Sequence, residues 1–410
     1  MQFDPKIIER LRLNLSGDQS HIVIRSAAGG DAEAAGYSFG IEEEYFLADA
    51  ATGEAAILTP NELFEAANWS TGGQVMREML QAQIEVATNV HVDPKDAREE
   101  LRFLRREVSA VAAQYGLVIM ACSTHPTASW RASQPTPKPR YFEMIENLQV
   151  IGYRNMLCGM HVHVQLPQPD KRFPVMCALI PHLPLFLALS TSSPFWSSEN
   201  TGLRGYRLAA YSELPRTGLP ELFEDQRGYE DYIGALVKSG VIPDESHVWW
   251  AMRPSFRHPT LELRAPDVCT RLDDAVAIAC LYRALVRHLG EMPETPRVDA
   301  VERAIAVENK WRAQRYGTGC SFASRDGAVP IAQALDRVIE LVRDDAEALG
   351  CAAEVEACRD ILRRGSSADA QLRVYEASGG DLTAVTRWIA EETIAEAGQP
   401  PAAATRDAVN

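Results

Sequence analysis

Between Tyr37 and Ala395, short runs of alternating apolar and polar residues are separated by longer stretches whose apolar residues recur every three or four positions. These are the periods of strands and helices. The clearest helical stretch follows Pro94. There Ala97, Leu101, Leu104, Val108 and Val111 form one stripe, leaving Glu99, Glu100, Arg102 and Arg105 outside, and Gly116 closes it. A second helix, from about 172 to 189, must bend or divide at Pro181 and Pro184. A third spans about 272 to 289, with Thr270 and Asp273 predicting a capping box and Gly290 a stop. Beyond Gly327, apolar stripes in 330–349, 353–364 and 381–395 predict a helical C-terminal layer. No repeat, low-complexity tract or linker interrupts the pattern. Residues 37–395 therefore read as one domain, between an N-terminal extension (1–36) and a flexible Ala/Pro-rich tail (396–410).

Four strand-like segments carry chemistry on one face. In Gly40-Ile41-Glu42-Glu43-Glu44-Tyr45-Phe46-Leu47, alternation sends Ile41, Glu43, Tyr45 and Leu47 one way and Glu42, Glu44 and Phe46 the other. Paired carboxylates repel, so Glu42 and Glu44 either hold a divalent cation or form a solvated acidic edge. In the second segment, Gln81, Gln83 and Glu85 oppose Ala82, Ile84 and Val86. Glu78 precedes it by one helical turn or a few strand residues. In the third, His161, His163 and Gln165 oppose Met160, Val162 and Val164; the H-x-H pair fits a metal or two satisfied structural histidines. In the fourth, Thr260, Glu262 and Arg264 share a face, with Arg253 and Arg257 upstream; a cross-strand ion pair is the plain alternative. Together the four segments predict an open, acidic, metal-binding face beside a local gathering of arginines. The oxygen-rich donor set favours Mg²⁺ or Mn²⁺.

A net charge of −15 argues against a broad grip on nucleic acid. The 46% hydrophobic content is ample for a core, and no apolar run reads as long enough to span a bilayer. The eight cysteines (122, 158, 177, 269, 280, 320, 351 and 358) form no C-x-x-C pair and read as buried free thiols of a cytoplasmic protein. Neither glycine-rich phosphate-binding fingerprint occurs, so any nucleotide must bind without one.

The wording and order of the segments resemble the type 2 glutamate-cysteine ligase family, specifically the YbdK-type carboxylate-amine ligases. The matching text includes the four strand segments, Thr124-His125-Pro126, Ser192-Ser193-Pro194-Phe195-Trp196, Asp267-Val268-Cys269-Thr270 and the run from Glu308 to Gly317. The resemblance implies an α+β, glutamine-synthetase-like fold, a curved and mainly antiparallel sheet with the active site on its concave face and helices packed behind. It also implies ATP-dependent amide formation through an acyl phosphate. Carried over by motif, Glu42, Glu44, Glu85, His161 and Glu262 would hold Mg²⁺, and Arg264 would sit on the transferred phosphoryl group. His163, Arg253, Asn309 and Arg312 are candidates for nucleotide contact, and Glu78 for the base that deprotonates the amine. Gly202, Arg204, Tyr206 and Arg207 suit either a substrate lid or a packed turn. Glu43 departs from the family's wording, where an apolar residue is common, and requires either a basic partner or an uncovered strand. Expected partners are ATP, an amino-acid-like carboxylate, an amine and a second copy in a homodimer. The rival readings are a metal-dependent amide hydrolase and a non-catalytic ATP-binding relative.

Overall fold

The computed structural model describes residues 36–396; the expected N-terminal extension and tail otherwise lie outside the described residues. Seven strands make one sheet: β1 (Phe39–Asp49), β2 (Val75–Arg77), β3 (Gln83–Ala87), β4 (Leu117–Met120), β5 (Met160–Gln165), β8 (Met252–Pro254) and β9 (Thr260–Leu263). The two-residue strands β6 (Phe195–Trp196) and β7 (Glu199–Asn200) form a separate hairpin. The order across the sheet is β2-β3-β1-β5-β9-β8, with β4 pairing to the far end of β1 where β5 leaves off, and every pairing is antiparallel. Strand β1 is central because its 11 residues bond three neighbours. All four segments with a polar face lie in this sheet.

Helices cover one face. Pro94–Ala113 sets Leu101, Leu104 and Val108 into the core, and Asp93 caps its start. Arg172–Leu179 and Leu183–Ser190 are divided by a 3₁₀ turn, Ile180–His182, where the two prolines predict a break. Contrary to the expectation from the sequence, Pro169–Ser190 does reach membrane-spanning length and apolarity, with a mean hydropathy of 1.8. Yet 83% of its most apolar 18 residues is buried inside the structure, the place of a core helix. The C-terminal layer comprises Ile331–Leu341, Arg343–Ala348, Ala352–Arg364, Ser367–Ala377 and Leu382–Ala395. All eight cysteines are free, and Cys177 alone is not fully buried.

Two details of the third long helix differ from the pattern. It runs Leu272–Glu291 with Arg271 as N-cap and no capping box. The Thr270 hydroxyl instead donates to Ala121 O (2.6 Å), and Glu396 from the last helix accepts the Asp273 N–H (2.9 Å). Gly290 does not stop the helix. A Cβ there would lie 2.7 Å from the Tyr37 hydroxyl, so glycine permits close packing.

Glu43 resolves through a residue misplaced by the helical pattern. Arg105 is not outside: it is fully buried and pairs with Glu43, also fully buried. Its Nε donates to Glu43 Oε2 (2.9 Å) and its Nη2 to Glu43 Oε1 (2.6 Å) and Cys269 O (2.8 Å). Its Nη1 donates to Thr270 O (2.7 Å) and Thr393 O (3.2 Å). The Tyr45 hydroxyl donates to Glu43 Oε2 at 2.5 Å. All five guanidinium N–H groups are thereby used, which lets an ion pair survive without water.

Arg105→Met, which leaves Glu43 charged and alone, should lower unfolding free energy by about 3–5 kcal/mol. Arg105→Lys, with three donors, should lose less. Urea midpoints measure both, and a shift of under about 1 kcal/mol for Arg105→Met would contradict a dry pair. His125, buried beside the Phe46 ring, accepts the Thr127 and Ala128 N–H groups at Nδ1 (3.3 and 3.2 Å). Burial lowers its pKa from 6.5 to about 4. The unfolded chain then takes up a proton that the fold refuses, so stability should fall as pH drops from 6.5 towards 4. In His125→Asn, whose Oδ1 can accept the same N–H groups, that slope should flatten by up to one proton; an unchanged slope would refute the assignment.

Candidate active site

The sheet face opposite the helices opens into a cavity of about 910 Å³, lined by Glu42, Glu44, Glu78, Glu85, His161, His163, Arg253, Glu262 and Arg264 among others. Nine of the eleven residues singled out from the sequence thus meet at one place. The β registers explain why: Glu42 pairs with His161, Glu44 with Glu85, His163 with Glu262, and Glu262 with Arg253. Glu78 lies just beyond β2, in neither helix nor strand. Phe46, assigned to the polar face by alternation, is fully buried and ends that face.

The other two are elsewhere. Asn309, on the helix Ala300–Tyr316, donates to Ala323 O (2.9 Å) and accepts from Ala323 N (2.7 Å), while Arg312 donates to Ser321 O. Their polar ends brace the hairpin of β10 (Ser321–Ser324) and β11 (Gly327–Pro330), and neither lines the cavity. The supposed lid is also packed: Arg204 pairs with Asp369 (2.9 Å), and Tyr206 packs on Trp196.

Arg207, expected in either a substrate lid or a packed turn, is the member of that group that reaches the cavity. It is buried, lines the cavity and donates to Arg264 O (3.2 Å) and Pro266 O (3.1 Å). A Cβ at position 159 would lie 2.1 Å from its Nη2, so only glycine admits this guanidinium. The Gly159 N–H meanwhile donates to Glu44 Oε2 (2.6 Å). The glycine just before the H-x-H strand was the available signal.

Charge is unevenly balanced along the cavity. At the β8–β9 end, Glu262 pairs with Arg253 (2.8 Å) and Arg264, whose charges overcome burial and hold its carboxyl well below the usual range. Burial likewise opposes ionisation of Glu42, but the charge on His163 and the bond to His161 (3.1 Å) win, and its pKa falls. His161 is pushed down to about 4, first by burial and then by Arg264. His163 is raised, because Glu42 outweighs burial. At the β2–β3 end carboxylates face one another: burial and then the Glu78 charge raise Glu44 to about 8 and Glu85 well above its usual range.

That excess of buried acid suits cations. Three groups, Glu42/Glu85/His161, Glu42/His163/Glu262 and Glu44/Glu78/Glu85, each bring their ligand atoms within 4.8 Å of one another. Nε2 of His161 and Nε of Arg264 are buried without a hydrogen-bond partner, and the imidazole nitrogen is free to ligate, whereas Nε2 of His163 lies 3.3 Å from Glu42 Oε1. Hard oxygen donors with one imidazole at most per group fit Mg²⁺ or Mn²⁺ better than zinc.

Residues 38–388 match the family described as glutamate-cysteine ligase family 2 (GCS2). The chain belongs to glutamate-cysteine ligase family 2. A protein of Bradyrhizobium sp. (strain ORS 278) named "Putative glutamate--cysteine ligase 2" is 70% identical over 97% of both chains. A Rhodospirillum rubrum protein of the same name is 43% identical over 88% of this chain and 97% of its own. Among solved structures, the glutamate-cysteine ligase of Francisella tularensis in complex with AMP superposes with a TM-score of 0.68 at 13% identity, covering 90% of each chain. The bifunctional glutathione synthetase of Pasteurella multocida gives 0.69 at 17% identity, covering 89% of this chain and 53% of that one, about half its length. These two likenesses establish the α+β ligase fold, and family membership makes the protein a carbon–nitrogen ligase.

Glu85 belongs to two of the three donor groups. Titration of the glutamate-cysteine ligase family chain with Mn²⁺, followed by electron paramagnetic resonance, should show Glu85→Gln binding roughly an order of magnitude more weakly than the wild type. Equal affinity would remove Glu85 from the cation set.

Proposed function

We propose that the protein is an ATP-dependent carboxylate-amine ligase that forms an amide of the glutamate-cysteine type through an acyl phosphate. The observation that carries this reading is the joining, in one cavity, of three carboxylate-rich donor groups with Arg253, Arg264 and Arg207. A phosphoryl-transfer site needs cations for the triphosphate and fixed positive charge for the group in flight.

A carboxylate is a poor electrophile, so its oxygen first attacks the γ-phosphorus of ATP. The bond from that phosphorus to the bridging oxygen breaks and ADP leaves. The amine then attacks the acyl carbon, phosphate departs, and the nitrogen gives up a proton. Divalent ions, held by Glu42, Glu44, Glu78, Glu85, His161, His163 and Glu262, would neutralise the triphosphate and let the crowded carboxylates ionise. Arg264 faces the cavity from the end of β9 and is held by Glu262, so its charge is fixed before phosphoryl transfer. Arg253 also donates to Ser246 O (2.9 Å) and Val248 O (3.0 Å); it therefore positions Glu262 more than it can grip a nucleotide. Arg207, stacked on Gly159 beside Glu44, would orient the acid substrate. Glu78 lies among cation donors, which favours holding a cation over acting as a free base, since a metal-bound carboxylate is weakly basic. Homodimer assembly and cytoplasmic residence belong to the same reading, the latter supported by the free thiols.

The purified protein with Mg²⁺ and ATP should release ADP only when both a carboxylate and an amine from an amino-acid panel are present. Glu262→Gln should cut that rate by roughly 10²-fold or more. ADP release indifferent to amine, or full turnover in Glu262→Gln, would defeat the proposal. Amide hydrolysis without ATP would favour a metal-dependent hydrolase instead.

A further inference from the structure

The turn joining β8 to β9 carries Phe256, whose side chain is exposed at the cavity wall. Its relative exposure is 55%, and among the described large apolar residues with this much exposure it alone lines the cavity. The exposure does not come from a loose turn. The Ser255 N–H donates to Thr260 O (2.9 Å), the His258 N–H to the Ser255 hydroxyl (3.3 Å), and Arg172 to His258 O (3.4 Å). A held turn thus presents an aromatic face with water on it, which costs free energy unless something covers it in use.

Its position indicates what covers it. Arg253 pairs with Glu262 in the β8–β9 register, and Phe256 follows three residues later. At about 3.3 Å per residue, that is roughly 10 Å along the chain from Arg253, and Phe256 lines the same cavity as the Glu42/His163/Glu262 donor group. An anionic chain bound at that group would end beside an exposed ring. A nucleoside triphosphate has this form, with charge at one end and a flat base at the other.

Building on the ligase reading above, we propose that Phe256 is the stacking platform for the base of the nucleoside triphosphate. The nucleotide then lies with its base over the β8–β9 turn and its phosphates running across Glu262 and His163 towards Arg264. The acid substrate then lies beyond Arg264, beside Arg207 and Glu44. This orientation orders the two substrates along the sheet.

The test uses the full chain with Mg²⁺, a non-hydrolysable ATP analogue and inorganic triphosphate as a probe without a base, in titration calorimetry. Phe256→Ala should weaken analogue binding roughly ten- to hundredfold and leave triphosphate binding unchanged. Phe256→Trp should keep the wild-type affinity, and its indole fluorescence should change on addition of the analogue but not of triphosphate. If Phe256→Ala binds the analogue as wild type does, the platform is refuted while the ligase reading stands. Equal losses for both probes would mean that the substitution only disturbs the turn, and would also refute it. A wild-type chain with no affinity for the analogue would overturn the ligase reading and this inference with it. Because the ring is exposed, neither variant should cost folding stability, which a thermal melt checks.

Discussion

Carboxylates crowded on a buried sheet face cannot all be ionised unless positive charge is brought to them. Here that constraint is met in two ways. Towards the β8–β9 end, arginine and histidine compensate Glu262 and Glu42, so the charge is balanced by the chain itself. Towards the β2–β3 end, Glu44, Glu78 and Glu85 face one another, and burial together with the Glu78 charge raises the pKa values of Glu44 and Glu85. A site built this way is poised to gain affinity for cations, because binding them recovers the ionisation energy that burial has withheld.

The opposite face of the same strand has the reverse problem. Three glutamates in succession on β1 must alternate between the cavity and the core, so one of them is driven inward. Arg105 answers that charge with a full set of donors, and its spare N–H groups take carbonyls from two other parts of the chain. The ion pair therefore does more than cancel a charge: it joins a sheet strand to the start of Leu272–Glu291 and to the end of the last helix. Such a network fixes how the helical layer sits on the sheet, and with it how flat or open the functional face can be.

Much of the site was legible because strands broadcast their two faces. Alternate residues in parts of β1, β3, β5 and β9 were chemically marked, and pairing those strands was enough to gather Glu42, Glu44, Glu85, His161, His163 and Glu262. Helical residues were harder. Arg105 occupied a position that the 3.6-residue period calls exterior, and only a third layer, the last helix, makes it interior. Asn309 and Arg312 have the composition of ligand-binding residues, but their partners are carbonyls of a hairpin ten or so residues downstream, which no periodicity announces. Arg207 was legible only as a lid or turn residue, because its place in the cavity follows from an absence, the missing side chain at Gly159. The capping box at Thr270 failed because a buried hydroxyl found stronger company in Ala121 O across the core.

The last described helix also bears on how the protein is made. Thr393 accepts the Ala121 N–H at its hydroxyl (2.9 Å) and an Arg105 N–H at its carbonyl (3.2 Å), contacts between residues 272 and 288 positions apart. The strand chemistry is encoded early, but the buried charge behind it is not enclosed until Thr393 has been synthesised. A nascent chain shorter than that would leave Glu43 and Arg105 exposed to water. Maturation of the cavity therefore waits on a helix encoded about 350 residues after Glu43, and truncation before that helix would be felt in the strands encoded earliest.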